Sequence, residues 1–412
     1  MCLCISPLVL FMGCSKTETH TQADYVDASS LGGKSEGQAA RPASSADLRA
    51  AAAYLDQREA WWTTWSGSAR DHQTFCVSCH TAVPYALSRY SLRGELGENE
   101  PTIDERKLIE DVTKRVRLWK EIEPSYSDQE YGEHKATQSR GTEAVLNVLI
   151  LAAYDAQSGK LSAGTKMAFS NMWALQLNSG EEKGSWSWLQ FDMEPWEARD
   201  SPYYGATLAA LAVGLAPENY GANPEIQENL KLLREYLSRE YASQPLLNRV
   251  ELLWAAEKLP GILEAQKREA LIREILSKQQ ADGGWSLSQL AGTWKGWRVV
   301  SLVGRWRRDD GSPQEVKSDG YATGLIVFAL QEAGVSRENA QLKQGLSWLQ
   351  KNQDAAGGFW PGYSLNRKRN PTSGPGQFMN DAATAYAVLA LTEAKGHSQQ
   401  AIKVQAKTGV NE

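Results

Sequence analysis

The sequence predicts an all-α fold, a single (α/α)6-type toroid of outer and inner helix pairs. Apolar residues recur every three or four positions through residues 45–396, and the alternation typical of strands is nearly absent. Amphipathic segments alternate there with segments that are apolar on all sides and rich in small residues. Because an apolar helix needs neighbours all round it, each inner helix requires a pair on both sides. This pattern favours a closed ring in one domain.

Six such pairs follow one another along the predicted domain. The first outer helix places Leu48, Leu55 and Trp62 on one face, as expected for a helix that packs against a core. The inner segment at 143–154 is instead apolar nearly all round. The predicted outer and inner helices pair as residues 45–65 with 81–92, 108–119 with 143–154, 163–178 with 201–215, 225–241 with 245–257, 263–280 with 319–334, and 338–353 with 381–394.

The regions outside the domain indicate an exported lipoprotein. Residues 1–14 hold an apolar run too short to span a bilayer and end in Gly13-Cys14, as in a bacterial lipobox, although no Lys or Arg precedes the run. Residues 15–44 are polar and predict a flexible tether, and 397–412 form a tail. We expect the domain on the periplasmic side of a bacterial membrane, held by lipid on Cys14.

The run Cys76-Val77-Ser78-Cys79-His80 has the C-x-x-C-H spacing of covalent haem attachment. In such a site both thiols bond to the haem and the histidine binds the iron, which predicts one haem c on Cys76, Cys79 and His80. A vicinal disulfide or half of a zinc site is the alternative. The sequence contains no second C-x-x-C to complete four zinc ligands.

The distribution of the five cysteines supports the haem interpretation. Cys2 and Cys4 would leave with the signal segment, and Cys14 would carry the lipid. Cys76 and Cys79 would then be the only thiols in the mature domain, as expected of a c-type haem protein in an oxidising compartment. A cytosolic protein with incidental cysteines is the alternative.

The sequence does not single out one residue as the second axial ligand of the iron. His72, His134, Met193 and Met379 carry suitable side chains. A filled sixth position would favour electron transfer, whereas an open one would permit ligand binding or peroxide chemistry. Three arginines flank the motif and could pair with haem propionates, or could simply be solvated: Arg70, Arg89 and Arg93.

Three loops between outer and inner helices share a Gln and a following Gly-Trp or Gly-x-Trp. These elements resemble the QW repeats of the terpenoid cyclases, such as squalene-hopene cyclase, whose toroid is shared with the β-subunits of protein prenyltransferases. The resemblance implies a structural role, in which the Gln caps a helix end and the Trp stacks over it. The three copies contain Gln176 with Gly184 and Trp186, Gln279-Gln280 with Gly283-Gly284 and Trp285, and Gln350 or Gln353 with Gly357-Gly358 and Trp360.

The resemblance raises two enzymatic alternatives. The squalene-hopene cyclases use an Asp-x-Asp-Asp acid, which is absent here; the candidate acids are Asp192, Glu194 and Asp200, with Asp319 and Asp381 weaker. Aspartates that begin inner helices are also good N-caps, which is the structural alternative. The prenyltransferase family uses an Asp-x-Cys pair and a later His for zinc, but here Tyr321 stands in place of that Cys.

Composition excludes one class of partner and leaves three functions. The net charge is −5 with acids and bases intermixed, so no basic footprint for nucleic acid is present. The leading hypothesis is redox or haem-dependent chemistry at the mouth of an apolar cavity, with a redox partner or an apolar or isoprenoid small molecule. A single-domain terpenoid cyclase or isomerase and a non-catalytic binding scaffold are the alternatives.

Overall fold

The computed structural model describes residues 46–291 and 308–408, with side chains up to residue 396. This part of the chain is all-α, as predicted, and belongs to one compact unit. The predicted signal segment 1–14 and tether 15–44 lie outside the described residues. No helix in the described ranges combines the length and the apolar character needed to cross a membrane.

The longer helices occur where the periodicity predicts them, and two short helices, Asp128–Tyr131 and Leu287–Leu290, lie outside the predicted segments. The strands among the described residues are two residues long. In chain order the elements are α1 (Leu48–Thr64), β1 (Ala69–Arg70), β2 (Thr74–Phe75), α2 (Ala82–Leu96), α3 (Ile103–Arg117), α4 (Asp128–Tyr131), α5 (Lys135–Ala156), α6 (Ala163–Ala174), α7 (Ser201–Leu215), α8 (Gln227–Glu240), α9 (Leu246–Lys258), α10 (Ala265–Ser277), α11 (Leu287–Leu290), α12 (Gly320–Glu332), α13 (Ala340–Lys351) and α14 (Phe378–Thr408). β1 and β2 pair as an antiparallel hairpin.

Six inner helices contact one another in cyclic order: α2 with α5, then α7, α9, α12 and α14, which contacts α2 again. They are largely buried, and in α12 every residue from Gly320 to Gln331 is buried. Small residues recur here because the helices approach closely. A Cβ atom on Gly324 would lie 2.5 Å from the backbone nitrogen of Ala387 on α14. The contacts of the inner helices therefore run in a closed cycle from α2 back to α2.

The outer helices α1, α3, α6, α8, α10 and α13 each contact at least one of the inner helices. α3 illustrates why they form: Leu108, Val112 and Val116 fall on one face and are buried. Its start is fixed by a capping box, in which the Thr102 hydroxyl accepts from the Glu105 nitrogen and the Glu105 carboxylate accepts from the Thr102 nitrogen.

The three tryptophans of the Gln–Gly–Trp elements are fully buried, and all three make the same kind of hydrogen bond. Each indole nitrogen donates to a backbone carbonyl near the end of the preceding outer helix, where carbonyls lack the i+4 partner of the helix interior. At Met172 and Ile275 this bond adds to one from the backbone nitrogen three residues further on. The pairs are Trp186 with Met172 at 2.7 Å, Trp285 with Ile275 at 2.9 Å, and Trp360 with Leu349 at 2.8 Å.

The glutamines of these elements join neighbouring outer helices. Each side-chain amide donates to the carbonyl of the element's own glycine and to a carbonyl at the start of another outer helix. The bonds are Gln176 to Gly184 and Asn229, both 3.0 Å; Gln279 to Gly283 at 2.8 Å and Gln341 at 2.7 Å; and Gln353 to Gly358 at 2.7 Å and Asp47 at 2.9 Å. The last link joins the end of α13 to the start of α1.

The glycines of these elements permit that close approach. Gly184 and Gly358 have φ values of 99° and 74°, which L side chains rarely adopt. A Cβ atom on Gly358 would also lie 2.5 Å from the carbonyl oxygen of Ala50 on α1. Glycine is therefore required where the loop meets the neighbouring helix.

The last helix is longer than the sequence pattern predicted. The apolar pattern ends near residue 394, and a tail was predicted for 397–412, but α14 continues to Thr408. Residues 397–408 contain neither proline nor glycine, so nothing in their backbone chemistry ends the helix.

Candidate functional site

The C-x-x-C-H run lies in the connection between α1 and α2 and is fixed at both ends. The Cys76 nitrogen donates to the Ser68 carbonyl at 2.8 Å, and the Trp62 indole donates to the Cys76 carbonyl at 2.7 Å. The Ser78 hydroxyl accepts from the nitrogens of Thr81 and Ala82, at 3.3 and 3.0 Å, and so caps α2. The loop is therefore held by its backbone, and its thiols and imidazole are left for other contacts.

Both thiols of the run are free and buried, with 8% of each residue exposed. Burial raises the pKa of Cys76 and raises that of Cys79 well above its ordinary value, since a thiolate is poorly solvated there. The nearby Glu197 carboxylate acts in the same direction on both. The thiols are thus neutral at physiological pH.

The His80 imidazole is held by aromatic rings and one hydrogen bond. Its ring stacks on Phe378 with centroids 3.6 Å apart, and the edge of Trp62 approaches at 4.9 Å. His80 Nδ1 lies 2.8 Å from the Thr81 hydroxyl oxygen. Burial, together with the Arg58 and Arg369 cations, holds the pKa of His80 well below its ordinary value, so the ring is neutral. A neutral imidazole is the form that binds metals.

A buried charge network lies behind this histidine. The Thr81 hydroxyl donates to Asp381 Oδ2 at 2.7 Å. Arg58 donates to both oxygens of the same carboxylate, at 2.7 and 3.0 Å, and Tyr54 donates to Oδ1 at 2.7 Å. The start of α2 is thereby joined to α1 and α14.

Cys76, Cys79 and His80 line one open cavity of about 550 Å³. That volume is in the range of about 300–1,000 Å³ that small-molecule and cofactor sites occupy. Other lining groups include aromatic rings, two thioethers and four cations: Trp62, Trp65, Tyr126, Trp196, Phe359 and Phe378; Met193 and Met379; and Arg308, Arg367, Lys368 and Arg369.

The structure separates the four candidates for the second axial ligand. Met193 and Met379 line the same cavity as His80. His72 is exposed, with Nδ1 2.9 Å from Asp71, and His134 is exposed at the start of α5. Neither of these two histidines lines the cavity. The methionine thioethers are therefore the candidates that share a site with the motif.

The cations of the cavity are not the arginines that flank the motif. Arg89 pairs with Asp56 at 2.9 Å and Arg93 pairs with Glu105 at 2.8 Å, away from the cavity. Three of the four lining cations, Arg367-Lys368-Arg369, form a short basic run in the loop before α14, and the fourth, Arg308, lies in the connection before α12. The basic run was the sequence signal for those three, but nothing local related it to residues 76–80.

The five candidate acids occupy different environments. Asp192 is exposed, 3.6 Å from Arg199, and Asp200 is half-buried beside Asn248 at 3.3 Å. Glu194 is buried and lines the cavity. The other two are buried at the starts of inner helices but differ in role. Asp319 accepts from the Ala322 nitrogen at 2.9 Å and caps α12, whereas Asp381 lies within α14 and binds Arg58, Tyr54 and Thr81.

Two carboxylates that the sequence pattern did not indicate also lie near the site: Glu197 is half-buried and Glu251 is buried. Burial raises the pKa of Glu197, at the cavity wall, to about 7. Glu251, on α9, accepts from the Tyr321 hydroxyl at 3.4 Å, while its Oε2 atom has no partner among the described residues. Burial raises its pKa to about 8. Its place inside an apolar helix gave no sequence signal for this environment.

The arrangement combines two neutral thiols, a neutral imidazole, thioethers and cations around one aromatic-walled cavity. This set could hold a planar, partly anionic cofactor with a metal at its centre. Among the described residues, no group of three His, Cys, Asp or Glu side chains is placed to hold a metal ion without such a cofactor. No protein-family model matches the chain, and no curated protein matches its sequence.

Proposed function

We propose that this chain is an exported protein that carries one covalent c-type haem, with Cys76 and Cys79 as attachment sites and His80 as the proximal ligand. The observation that carries the proposal is the meeting of both free thiols and the oriented His80 on a single cavity. A structural zinc site would need four protein ligands, and no cluster of three His, Cys, Asp or Glu side chains that could hold a metal ion exists within residues 46–291 and 308–396.

The residues present fit such a group chemically. Each neutral thiol would add across a vinyl double bond, with sulfur bonding to one carbon and the thiol proton passing to the other, so attachment needs no oxidant. The cations at Arg308 and at Arg367 to Arg369 would face the propionates. The aromatic residues would supply the apolar walls.

When bound, a haem supplies one-electron redox chemistry or, with a free sixth position, ligand and peroxide chemistry. Met193 and Met379 are the residues available to occupy the sixth position. Redox or haem-dependent chemistry at the cavity mouth is therefore the proposed activity, with a redox partner or an apolar small molecule as the reactant.

The scaffold we propose is a toroid of the terpenoid cyclase type. The repeated Gln–Gly–Trp bonding and the cyclic contacts of the inner helices support it. The exported, lipid-anchored state rests on residues 1–14, including Cys14.

The test is production of the full chain in cells that contain the c-type cytochrome maturation machinery. The matured protein should show a sharp reduced α-band, and the haem should remain with the polypeptide through acid-acetone extraction. A Cys76→Ser, Cys79→Ser double variant should lose the covalent band. Thr384→Val, at a buried α14 hydroxyl that does not line the cavity, is the control and should keep it. Absence of covalent haem from the matured wild-type protein would refute the proposal.

One observation favours a second candidate, a single-domain cyclase or isomerase acting on an isoprenoid. Glu194 is buried at the cavity wall, as a general acid would be. In that case squalene or a prenyl diphosphate would be converted, and Glu194→Gln would abolish turnover while Asp192→Asn, at an exposed carboxylate, would not. No conversion by the folded protein would leave a non-catalytic binding scaffold.

A further inference from the structure

We infer that Thr81 and Asp381 position His80, fixing which ring nitrogen carries the proton and which faces the cofactor. The inference rests on the proposed function, since it concerns the proximal ligand of the same site. It assigns a role to Asp381 that neither helix capping nor acid catalysis describes.

The direction of the hydrogen bonds follows from the chemistry of the three groups. An ionised carboxylate can only accept, so the Thr81 hydroxyl uses its single proton toward Asp381 Oδ2 at 2.7 Å. The Thr81 oxygen can then only accept from His80 Nδ1, at 2.8 Å. His80 therefore carries its proton on Nδ1, and the lone pair of Nε2 is left for a metal.

Asp381 is held in the accepting state by its other partners. Arg58 donates to both carboxylate oxygens, at 2.7 and 3.0 Å, and Tyr54 donates to Oδ1 at 2.7 Å. All three donors to this carboxylate come from elements other than its own helix, and only 1% of the Asp381 residue is exposed. The carboxylate thus cannot turn away from Thr81 without breaking a buried ion pair.

The ring orientation is fixed by a second, independent contact. Phe378 stacks on the imidazole at 3.6 Å, and it lies in the first turn of the helix that carries Asp381. One element therefore sets both the plane of the ring, through Phe378, and its tautomer, through Asp381. A metal-binding histidine is commonly oriented and made more basic by such a partner on its other nitrogen.

A purely structural role is the competing explanation, because the same bonds join α1, α2 and α14. The two roles differ in what they change. A structural tie would alter only the free energy of unfolding. A positioning role would also change the tautomer of His80 and, in the haem-loaded protein, the midpoint potential.

The first measurement is the ¹⁵N NMR spectrum of His80 in the cofactor-free, folded full chain. We expect the Nδ1-protonated tautomer in the wild type. Thr81→Val, which keeps the shape and removes the hydroxyl, should shift the population toward the other tautomer, and Thr81→Ser should restore it. Thr384→Val is the matched control, because that buried α14 hydroxyl accepts from the Trp360 nitrogen at 3.1 Å. It should leave His80 unchanged.

The second measurement is the midpoint potential of the haem-loaded protein. Loss of the acceptor should make His80 a weaker donor to the iron, so Thr81→Val and Asp381→Asn should raise the potential while Thr384→Val does not. A wild-type His80 protonated on Nε2 would overturn the inference, even if a variant failed to fold. An unchanged tautomer and potential in Thr81→Val would overturn it too. A wild-type chain that never acquires haem would refute the proposed function instead. The NMR spectrum of the cofactor-free protein would still decide whether Thr81 and Asp381 fix the tautomer of His80.

Discussion

The first outer-to-inner connection and the Gln–Gly–Trp connections use tryptophan in opposite ways. In the later loops the tryptophan belongs to the loop and bonds back to the outer helix, as Trp285 does to Ile275. In the first connection the tryptophan belongs to the outer helix, and Trp62 bonds forward to the carbonyl of Cys76. When a tryptophan of the outer helix binds the loop backbone, the thiols and the imidazole of the loop are not needed for that bond. That difference explains how this connection can present two thiols and an imidazole to a cavity.

Two buried carboxylates on inner helices extend the comparison. Asp381, at the first connection, has its charge matched by Arg58. Glu251, on α9, has the Tyr321 hydroxyl as its side-chain partner among the described residues. Burial raises the pKa of both carboxyl groups, but at Asp381 the Arg58 cation and the Thr81 hydroxyl oppose the rise. At Glu251 the Tyr321 hydroxyl is the opposing group.

The largest expected change in the free energy of unfolding comes from substituting a tryptophan of the later connections. Trp285→Ala should lower the free energy of unfolding by about 3–5 kcal/mol, because a fully buried ring and a helix-end hydrogen bond are lost. Urea denaturation of the cofactor-free protein measures it. The yield of covalent haem per folded molecule should not change, and a loss of haem without a loss of stability would contradict the division of roles. Trp285→Phe, which keeps most of the apolar area, should cost less.

The next effect concerns pH and Glu251. Burial raises the pKa of Glu251 from an ordinary 4.5 to about 8, so the folded state binds more protons than the unfolded state between these values. The free energy of unfolding should therefore fall as the pH rises through that window. Between about pH 5 and about pH 8, the wild type should lose about 1–3 kcal/mol more than Glu251→Gln does.

Denaturation curves at several pH values test this expectation. The exposed Glu228→Gln on α8 is the control and should follow the wild type. Parallel pH profiles for Glu251→Gln and wild type would show that Glu251 is solvated or paired in the folded protein.

A smaller effect is expected from the glutamine links. Gln353→Ala removes three hydrogen bonds, two of which have equivalents at Gln279, and should lower the free energy of unfolding by about 1–2 kcal/mol. It should also speed amide exchange at the start of α1, where Asp47 loses its contact. Gln279→Ala removes the equivalent two bonds and is the matched control. Faster amide exchange in α1 of the Gln279→Ala variant would contradict a specific link between α13 and α1.

The smallest effect on stability is expected at the thiols. Cys76→Ser in the cofactor-free protein should change the free energy of unfolding by about 1 kcal/mol or less, since the side chain keeps its size and the loop is held by its backbone. Thermal denaturation measures this. A loss comparable to that of Trp285→Ala would mean that the thiol is part of the core and not reserved for attachment.

The sequence predicted the helix pairs and their burial because helical periodicity is a local signal. The three tryptophans were likewise predicted as structural, and they are buried and hydrogen-bonded to helix ends. Asp381 shows where local reasoning stops. Its place near a helix start suggested a cap or an acid, but its partners Thr81 and Arg58 lie 300 and 323 residues away in the chain.

The cavity could be predicted only in part for the same reason. Cys76, Cys79 and His80 were visible as a motif, and Met193 and Met379 were among four ligand candidates. Met193 and Met379 line the cavity, whereas His72 and His134 do not. That difference depends on which distant loops come together, and helical periodicity carries no information about it. The environment of Glu251 was not predictable because an acid within a helix gives no local signal of the groups that will surround it.

The bond from Gln353 to Asp47 has a consequence for how the protein is made. Residues 47–81 leave the ribosome long before Phe378, Met379 and Asp381. Contacts of such sequence separation form late in folding. A growing chain therefore has both thiols and His80 long before it has the ring that stacks on His80 and the carboxylate behind Thr81. The thiols exist early, and the pocket that orients a ligand between them is completed only when the two ends of the domain join.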